Sequence, residues 1–146
     1  MIPKRVILDT NVCLDLFVFH DPRWARLLSA LKTGHIQAFT RQDCREEWLV
    51  VLRYPHLPIS SDQLTGIELD FDQLIQCVAP EQKQSLILPR CTDKDDQKFL
   101  EIARDVNADI LITKDKALLK LTKKTQKAGL FFIQTPDKFL QSWNEE

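Results

Sequence analysis

Two kinds of hydrophobic pattern alternate along the chain. Short uninterrupted apolar runs, such as Val6-Ile7-Leu8, are typical of strands that are buried on both faces, as parallel strands are. Between these runs, apolar residues recur every three or four positions, which is typical of helices with one buried face. Strands that alternate with helices predict right-handed β-α-β units. We therefore expect a three-layer α/β/α sandwich with a central, mainly parallel β-sheet.

Capping residues indicate where the first predicted helices begin. Asp9-Thr10-Asn11 can turn the chain after the first strand and start a helix. Asp21 and Pro22 can start the next helix, which Gly34 ends.

The rest of the chain continues the same alternation. Ser60 and Gln63 have the spacing of a capping box, ahead of an apolar helical face that continues to Val78 and stops before Pro80. The other predicted elements are strands at residues 36–40, 108–113 and 130–133, a helix at residues 41–53, an acidic helix start at residues 93–96, a short helix through Leu121, and a last helix with Pro136 in its first turn.

Composition limits the classes of protein that fit. A chain of 146 residues, with 44% hydrophobic and 28% charged residues, has the size and composition of one globular domain, so we expect a single domain over residues 1–146. The formal net charge is −1, which excludes a protein that binds nucleic acid by bulk positive charge. Any contact with phosphate must therefore be local.

The cysteines and the first apolar run indicate the cellular compartment in which we expect the protein. The four cysteines include no Cys-x-x-Cys pair, so we interpret them as reduced, mostly buried thiols. Asp9, Asn11 and Asp15 interrupt the first apolar run too early for a signal peptide, and no apolar stretch reaches membrane-spanning length. We expect a cytoplasmic protein that does not contact a membrane.

Carboxylates follow two of the predicted strands. Asp9 and Asp115 come at or just after a strand's carboxyl end, the edge at which open α/β sheets bind ligands. Asp96 opens the helix that leads into the second of these strands, and Glu47 lies early in the helix after residues 36–40. Each aspartate alone could simply cap a helix. Together they favour a metal site, because four converging carboxylates need a cation to balance their charge.

The donor set predicts the metal and the reaction. Oxygen ligands without paired histidines favour Mg²⁺ or Mn²⁺ over zinc. Such ions, held by carboxylates, can activate water for attack on a phosphodiester, which makes nucleic acid the natural substrate.

The spacing of these motifs resembles the PIN-domain family of nucleases. Within that family, the chain is most similar to the toxin components of bacterial toxin-antitoxin systems, akin to VapC-type toxins. The matching blocks are residues 6–12 (VILDTNV), 47–52 (EWLVVL), 93–103 (DKDDQKFLEIA) and 108–115 (ADILITKD).

The resemblance implies a PIN-like fold and a metal-dependent endoribonuclease that cleaves single-stranded RNA. It also implies a toxin role, with an antitoxin protein as partner, and a homodimer is a further candidate assembly. The family's acidic positions match Asp9, Glu47, Asp96 and Asp115, of which Asp9, Asp96 and Asp115 would hold Mg²⁺ or Mn²⁺. Glu46 is the alternative to Glu47, and Asp93 and Asp95 are the alternatives to Asp96. The polar residues that would orient the carboxylates are Thr10, Asn11 and Thr113.

One stretch of the chain is strongly basic. It begins beside Asp115 and could grip RNA phosphates locally, although such a run is more often a solvated face. Its lysines are Lys114, Lys116, Lys120, Lys123, Lys124 and Lys127, of which the first five are the candidates for RNA binding.

Two other functions compete with the nuclease. An aspartate-nucleophile phosphatase also has a strand that ends in Asp, but its chemistry requires a second acid two residues later, where this chain has Asn11. The second is a non-catalytic module that binds RNA or protein on a degenerate nuclease fold. An incomplete acidic set would favour it, whereas all four positions are filled.

Overall fold

Five parallel strands form one sheet in the computed structural model, which describes residues 2–143. They are β1 (Lys4–Leu8), β2 (Ile36–Thr40), β3 (Ile75–Cys77), β4 (Ile110–Ile112) and β5 (Phe132–Gln134). Their order across the sheet is β3-β2-β1-β4-β5, so β1 is central and β3 and β5 are the edges.

Helices connect the strands and cover the sheet. They are α1 (Thr10–Phe17), α2 (Ala25–Thr33), α3 (Gln42–Val51), α4 (Ser61–Leu74), α5 (Gln97–Asp105), α6 (Lys116–Leu119), α7 (Thr122–Lys127) and α8 (Pro136–Ser142). Short 3-10 turns at Pro22–Trp24 and Lys94–Asp96 precede α2 and α5. No helix within residues 2–143 combines the length and the apolar character needed to cross a membrane.

Successive residues of β1 enter two separate hydrophobic cores. Val6 and Leu8 pack with buried residues of α1, α2 and α4, whereas Ile7 packs with buried residues of α5 and α6. This alternation follows from the pleat of a strand, in which neighbouring side chains point to opposite faces. The sheet is therefore covered on both faces, which confirms the predicted three-layer α/β/α sandwich.

Several caps form as expected from the sequence. Ser60 and Gln63 make both hydrogen bonds of a capping box at the start of α4. Gly34 ends α2 with a φ of 80°, a left-handed conformation that glycine adopts without steric cost. The predicted helix at residues 41–53 is shorter at both ends: α3 begins after Arg41, which is in extended conformation, and ends at Val51, with Leu52 as its C-cap.

The helical face predicted to continue to Val78 was wrong in its last part. α4 ends at Leu74, and Ile75 takes an extended conformation and pairs with Ala38 of β2. Leu74, Ile75 and Val78 have the spacing of a helical face, so the apolar pattern favoured a helix, and the strand is set by pairing with β2 instead. The free edge of β2 supplies backbone hydrogen bonds to β3, and burial of Ile75 adds to its stability.

The region after β4 differs from the prediction in detail. The short helix expected to run through Leu121 is α6, which ends at Leu119. A further helix, α7, follows it and was not predicted, because α7 has no apolar stripe and only its Thr125 is buried. β4 is limited to the three residues that pair with β1 and β5. β5 begins later than expected, at Phe132.

Candidate active site

Two neighbouring strands lead into carboxylates at the same edge of the sheet. The N–H of Asp9, just after β1, donates to the carbonyl of Ile112 at the end of β4 (3.0 Å). Asp9 caps α1, and its Oδ1 accepts a hydrogen bond from the N–H of Thr10 (2.7 Å). Asp115 caps α6 and accepts from the N–H of Ala117 (2.8 Å). Capping thus fixes the direction of both carboxylates and does not compete with a role in a site.

Asp9 is the buried member of the acidic group, with 4% of its surface exposed. Its Oδ2 accepts hydrogen bonds from the hydroxyl of Thr113 (2.6 Å) and from Nδ2 of Asn11 (3.3 Å). Burial raises the pKa of Asp9 to about 6, although the hydrogen bonds from Thr113 and Thr10 lower it. The structure therefore places Thr10, Asn11 and Thr113 around this carboxylate.

Asp93, Asp96 and Asp115 form the tightest acidic cluster. One carboxylate oxygen of each lies within 4.8 Å of the others. Asp93 was only an alternative to Asp96 in the sequence, yet its side chain caps the 3-10 turn that carries Asp96. Asp9 is not one of these three, but it is near enough that its charge raises the pKa of Asp96. A divalent cation bound by the cluster would relieve this concentration of negative charge.

Two buried oxygen atoms at the site lack hydrogen-bond donors. When Asp96 is ionised, no donor among residues 2–143 reaches its Oδ2, and none reaches Oδ1 of Asn11. A buried acceptor without a partner costs free energy, so such atoms are rare in folded proteins. Both are oxygen ligands of the kind that Mg²⁺ and Mn²⁺ prefer. The residues present therefore fit a hard divalent cation.

A proton relieves the repulsion between Asp96 and Asp115 when no cation is bound. Burial raises the pKa of Asp96 to about 8, and its hydrogen bond with Asp115 and the charges of Asp9, Asp115 and Asp93 act in the same direction. The pKa of Asp115 is lowered by the hydrogen bond from Asp96 and by the N–H of Ala117, against the effect of burial. Of the two carboxyls, Asp96 is therefore the one that retains a proton to the higher pH.

Glu47 is held beside Asp9 by two groups of the chain itself. The hydroxyl of Thr10 donates to Oε2 of Glu47, and Nζ of Lys98 lies 2.9 Å from Oε1. Glu46 is instead exposed and accepts a hydrogen bond from Gln42 (3.1 Å). Of the two glutamates, Glu47 is thus the one that faces the acidic group.

Lys98 is a functional candidate that the sequence patterns did not single out. It stands in the first turn of α5, where a positive charge opposes the helix dipole and usually destabilises. Here it pairs with Glu47 and also donates to the carbonyl of Asp95. A lysine in a helix's first turn, two residues after a candidate acid, was the available signal.

Within the basic stretch, Lys114 has a different environment from the other lysines. Its Nζ lies 2.7 Å from Oδ2 of Asp15, a buried residue of α1 that also accepts from Nε1 of Trp24 (3.2 Å). Lys114 is therefore engaged in an ion pair that ties the segment before Asp115 to α1. The remaining candidates are exposed on α6, at its end and on α7: Lys116, Lys120, Lys123 and Lys124.

Comparison with known proteins identifies one family. Residues 5–117 match the family model described as the PIN domain, and this range includes all four candidate acids. The search of curated proteins finds no match.

The raised pKa values predict how the stability of the metal-free protein depends on pH. Between the ordinary value of 3.8 and the raised values of about 6 and 8, the folded chain holds protons on Asp9 and Asp96 that the unfolded chain has released. The free energy of unfolding should therefore fall as the pH rises from about 4 to about 8. Asp96→Asn should flatten this fall between about pH 6 and pH 8, as measured by thermal melts in chelator.

The control for this measurement is Asp137→Asn, which removes an exposed carboxylate from the first turn of α8. Its melting temperature should follow the pH dependence of the unmutated chain. Parallel curves for all three proteins would contradict the shared proton.

Proposed function

Because the chain belongs to the PIN-domain family, we propose that it is a metal-dependent endoribonuclease, a hydrolase that cleaves phosphodiester bonds in single-stranded RNA. The observation that carries this proposal is the cluster of Asp93, Asp96 and Asp115, with oxygens within 4.8 Å of one another and a buried Asp96 oxygen that no donor of residues 2–143 reaches. The carboxyl edge of a parallel sheet is also where α/β proteins bind their ligands.

Asp96 and Asp115 are the central ligands that we assign to Mg²⁺ or Mn²⁺. Asp9 and Asp93 flank them and complete an all-oxygen donor set. When bound, such a cation would activate water as a nucleophile and stabilise the leaving oxygen of a phosphodiester. To bind it, Asp96 must release the proton that it shares with Asp115, so cation and proton compete for the same atoms.

The remaining polar residues orient the acidic group. Thr113 holds Oδ2 of Asp9, and the hydroxyl of Thr113 also accepts from the N–H of Asp115 (3.0 Å), so one side chain fixes both acids. Both oxygens of Glu47 already have partners in Thr10 and Lys98. We therefore assign Glu47 to positioning water beside the metal, as an acceptor, and not to direct metal binding.

An active enzyme fits these observations better than a non-catalytic binding module. A degenerate site would have lost acids or their supporting contacts, whereas Asp9, Glu47, Asp96 and Asp115 each have a partner or a close acidic neighbour at one edge. For the substrate, the exposed lysines after Asp115 offer local phosphate contacts, as single-stranded RNA would require.

The first test is cleavage itself. Purified protein should cleave single-stranded RNA in Mg²⁺ or Mn²⁺ and lose all cleavage in chelator. Asp9→Asn and Asp96→Asn should reduce the rate by at least about a hundredfold, because each removes an oxygen ligand or its neighbour, while leaving the metal-free fold intact or more stable, because each removes a carboxyl group that repels its neighbours when ionised. Mg²⁺ should raise the melting temperature of the unmutated protein and do so much less for either variant.

Asp137→Asn serves as the control, because it removes an exposed carboxylate that is not a member of the acidic group. It should retain both the cleavage rate and the stabilisation by Mg²⁺. Full activity in chelator, or equal stabilisation of all variants by Mg²⁺, would contradict the metal site and show that the aspartates only cap helices.

We further propose that the protein is a cytoplasmic toxin restrained by an antitoxin that covers the acidic edge, a role that rests on the family resemblance of the sequence. Expression of the unmutated chain alone should arrest growth and degrade cellular RNA, whereas Asp96→Asn at an equal protein level should do neither. Unimpaired growth with the intact acidic set would contradict the toxin role without contradicting the nuclease.

A further inference from the structure

A groove of about 760 Å³ runs along α5 beside the segment that leads to the acidic cluster. This volume is within the range of about 300–1,000 Å³ that is usual for ligand sites. Its walls come from the loop at residues 84–94 and from α5. The sequence patterns predicted no helix or strand at residues 84–92 of this loop.

Two of the residues that line the groove directly follow members of the acidic cluster in the chain. Gln97, the residue directly after Asp96, lines it and ties the loop to α5, because its Oε1 accepts from the N–H of Cys91 (2.8 Å) and its Nε2 donates to the carbonyl of Pro89 (3.1 Å). Lys94, another lining residue, follows Asp93 directly in the chain. A strand of nucleic acid whose scissile bond lies at the cluster would therefore enter or leave along this groove.

The charges in the groove favour an anion. Arg90 and Lys94 are both exposed, and within the described part of the chain neither forms an ion pair. The single carboxylate of the lining, Glu101, is paired with Arg41 (2.8 Å). Two cations thus remain for a ligand.

The groove also offers an apolar surface. Ile87 lines it and is 83% exposed, and Leu88 lies next to it. Apolar side chains beside cations suit a single-stranded nucleic acid, whose bases need an apolar contact while its phosphates need positive charge. A free phosphate or a metal complex would make no use of Ile87.

We propose that this groove binds the single-stranded RNA on one side of the scissile bond, with Arg90 and Lys94 contacting backbone phosphates and Ile87 packing against a base. The proposal rests on the proposed ribonuclease function and adds the path that the substrate follows. It places substrate binding on the α5 side of the acidic cluster, through residues outside the lysine stretch of α6 and α7.

The test compares two charge-matched double variants. Arg90→Gln/Lys94→Gln removes the two groove cations, whereas Lys4→Gln/Lys32→Gln removes two exposed lysines from the start of β1 and the end of α2, at the opposite edge of the sheet. Binding of a fluorescent 12-nucleotide single-stranded RNA is measured by anisotropy over a range of KCl concentrations. The titrations contain Mg²⁺ and use the Asp96→Asn background, so that cleavage does not interfere.

We expect the groove variant to bind RNA several-fold more weakly, with the slope of log K against log salt reduced by about 1.4, as two lost phosphate contacts on a single strand predict. The control variant should retain the slope. With intact Asp96, the groove variant should raise KM and leave kcat nearly unchanged, because Arg90 and Lys94 do not belong to the acidic site. Ile87→Ser should weaken binding without changing the salt slope.

An unchanged salt slope in the groove variant, together with RNA cleavage by the unmutated protein, would overturn the groove proposal and leave the ribonuclease intact. An equal loss in both double variants would also overturn it, since the effect would be one of net charge. In the last experiment, binding of a ten-residue polyglutamate peptide to the same variants is measured. If its binding requires Arg90 and Lys94 while RNA binding does not, the groove is a site for an acidic peptide and the proposal fails.

Discussion

Repulsion between carboxylates at one edge of the sheet is the constraint on which the rest of the site depends. Burial and the charges of Asp9 and Asp115 raise the pKa of Asp96, and burial and the charge of Asp115 also raise the pKa of Asp9, so the metal-free protein retains protons at this edge to a higher pH. The same atoms cannot hold that proton and a divalent cation together. A bound cation should therefore stabilise this arrangement. Without a cation, loss of the proton destabilises it.

The architecture supplies the means to hold these charges in place. Because β1 and β4 are adjacent and parallel, the segments that follow them meet at one edge, and helix capping then fixes the direction of Asp9 and Asp115. Two ion pairs hold α5 against the region of α3. Lys98 of α5 pairs with Glu47 of α3, and Glu101 of α5 pairs with Arg41, the residue before α3. Cations of the chain are thus placed around the acidic group but not within the cluster of three.

Local signals in the sequence were sufficient for most of the fold. The capping box of Ser60 and Gln63, the glycine after α2 and the apolar run of β1 each depend on residues a few positions apart. β3 and α7 were not predictable in the same way. The extended conformation of Ile75 depends on the free edge of β2, and α7 is packed through Thr125 without an apolar stripe.

The residues of the candidate site also fall into two groups, those with a local sequence signal and those without one. Strand ends followed by Asp9 and Asp115 could be recognised directly, Asp96 and Glu47 were placed by their positions early in helices, and the family resemblance matched all four. Lys98 was missed because its partner Glu47 is 51 residues away in the chain, and Asp93 because it is first of all a cap of its own turn. Contacts between distant segments require the three-dimensional structure, which is also why the groove beside α5 had no sequence signature.

The most direct measurement of the central claim is a crystal structure of the protein soaked with Mn²⁺, with the ion located by its anomalous scattering. The account predicts a peak bound by carboxylate oxygens of both Asp96 and Asp115, with Lys98 still paired with Glu47. A map without such a peak at saturating Mn²⁺, in which Asp96 and Asp115 stay within hydrogen-bond distance of each other and Asp9 only caps α1, would contradict it.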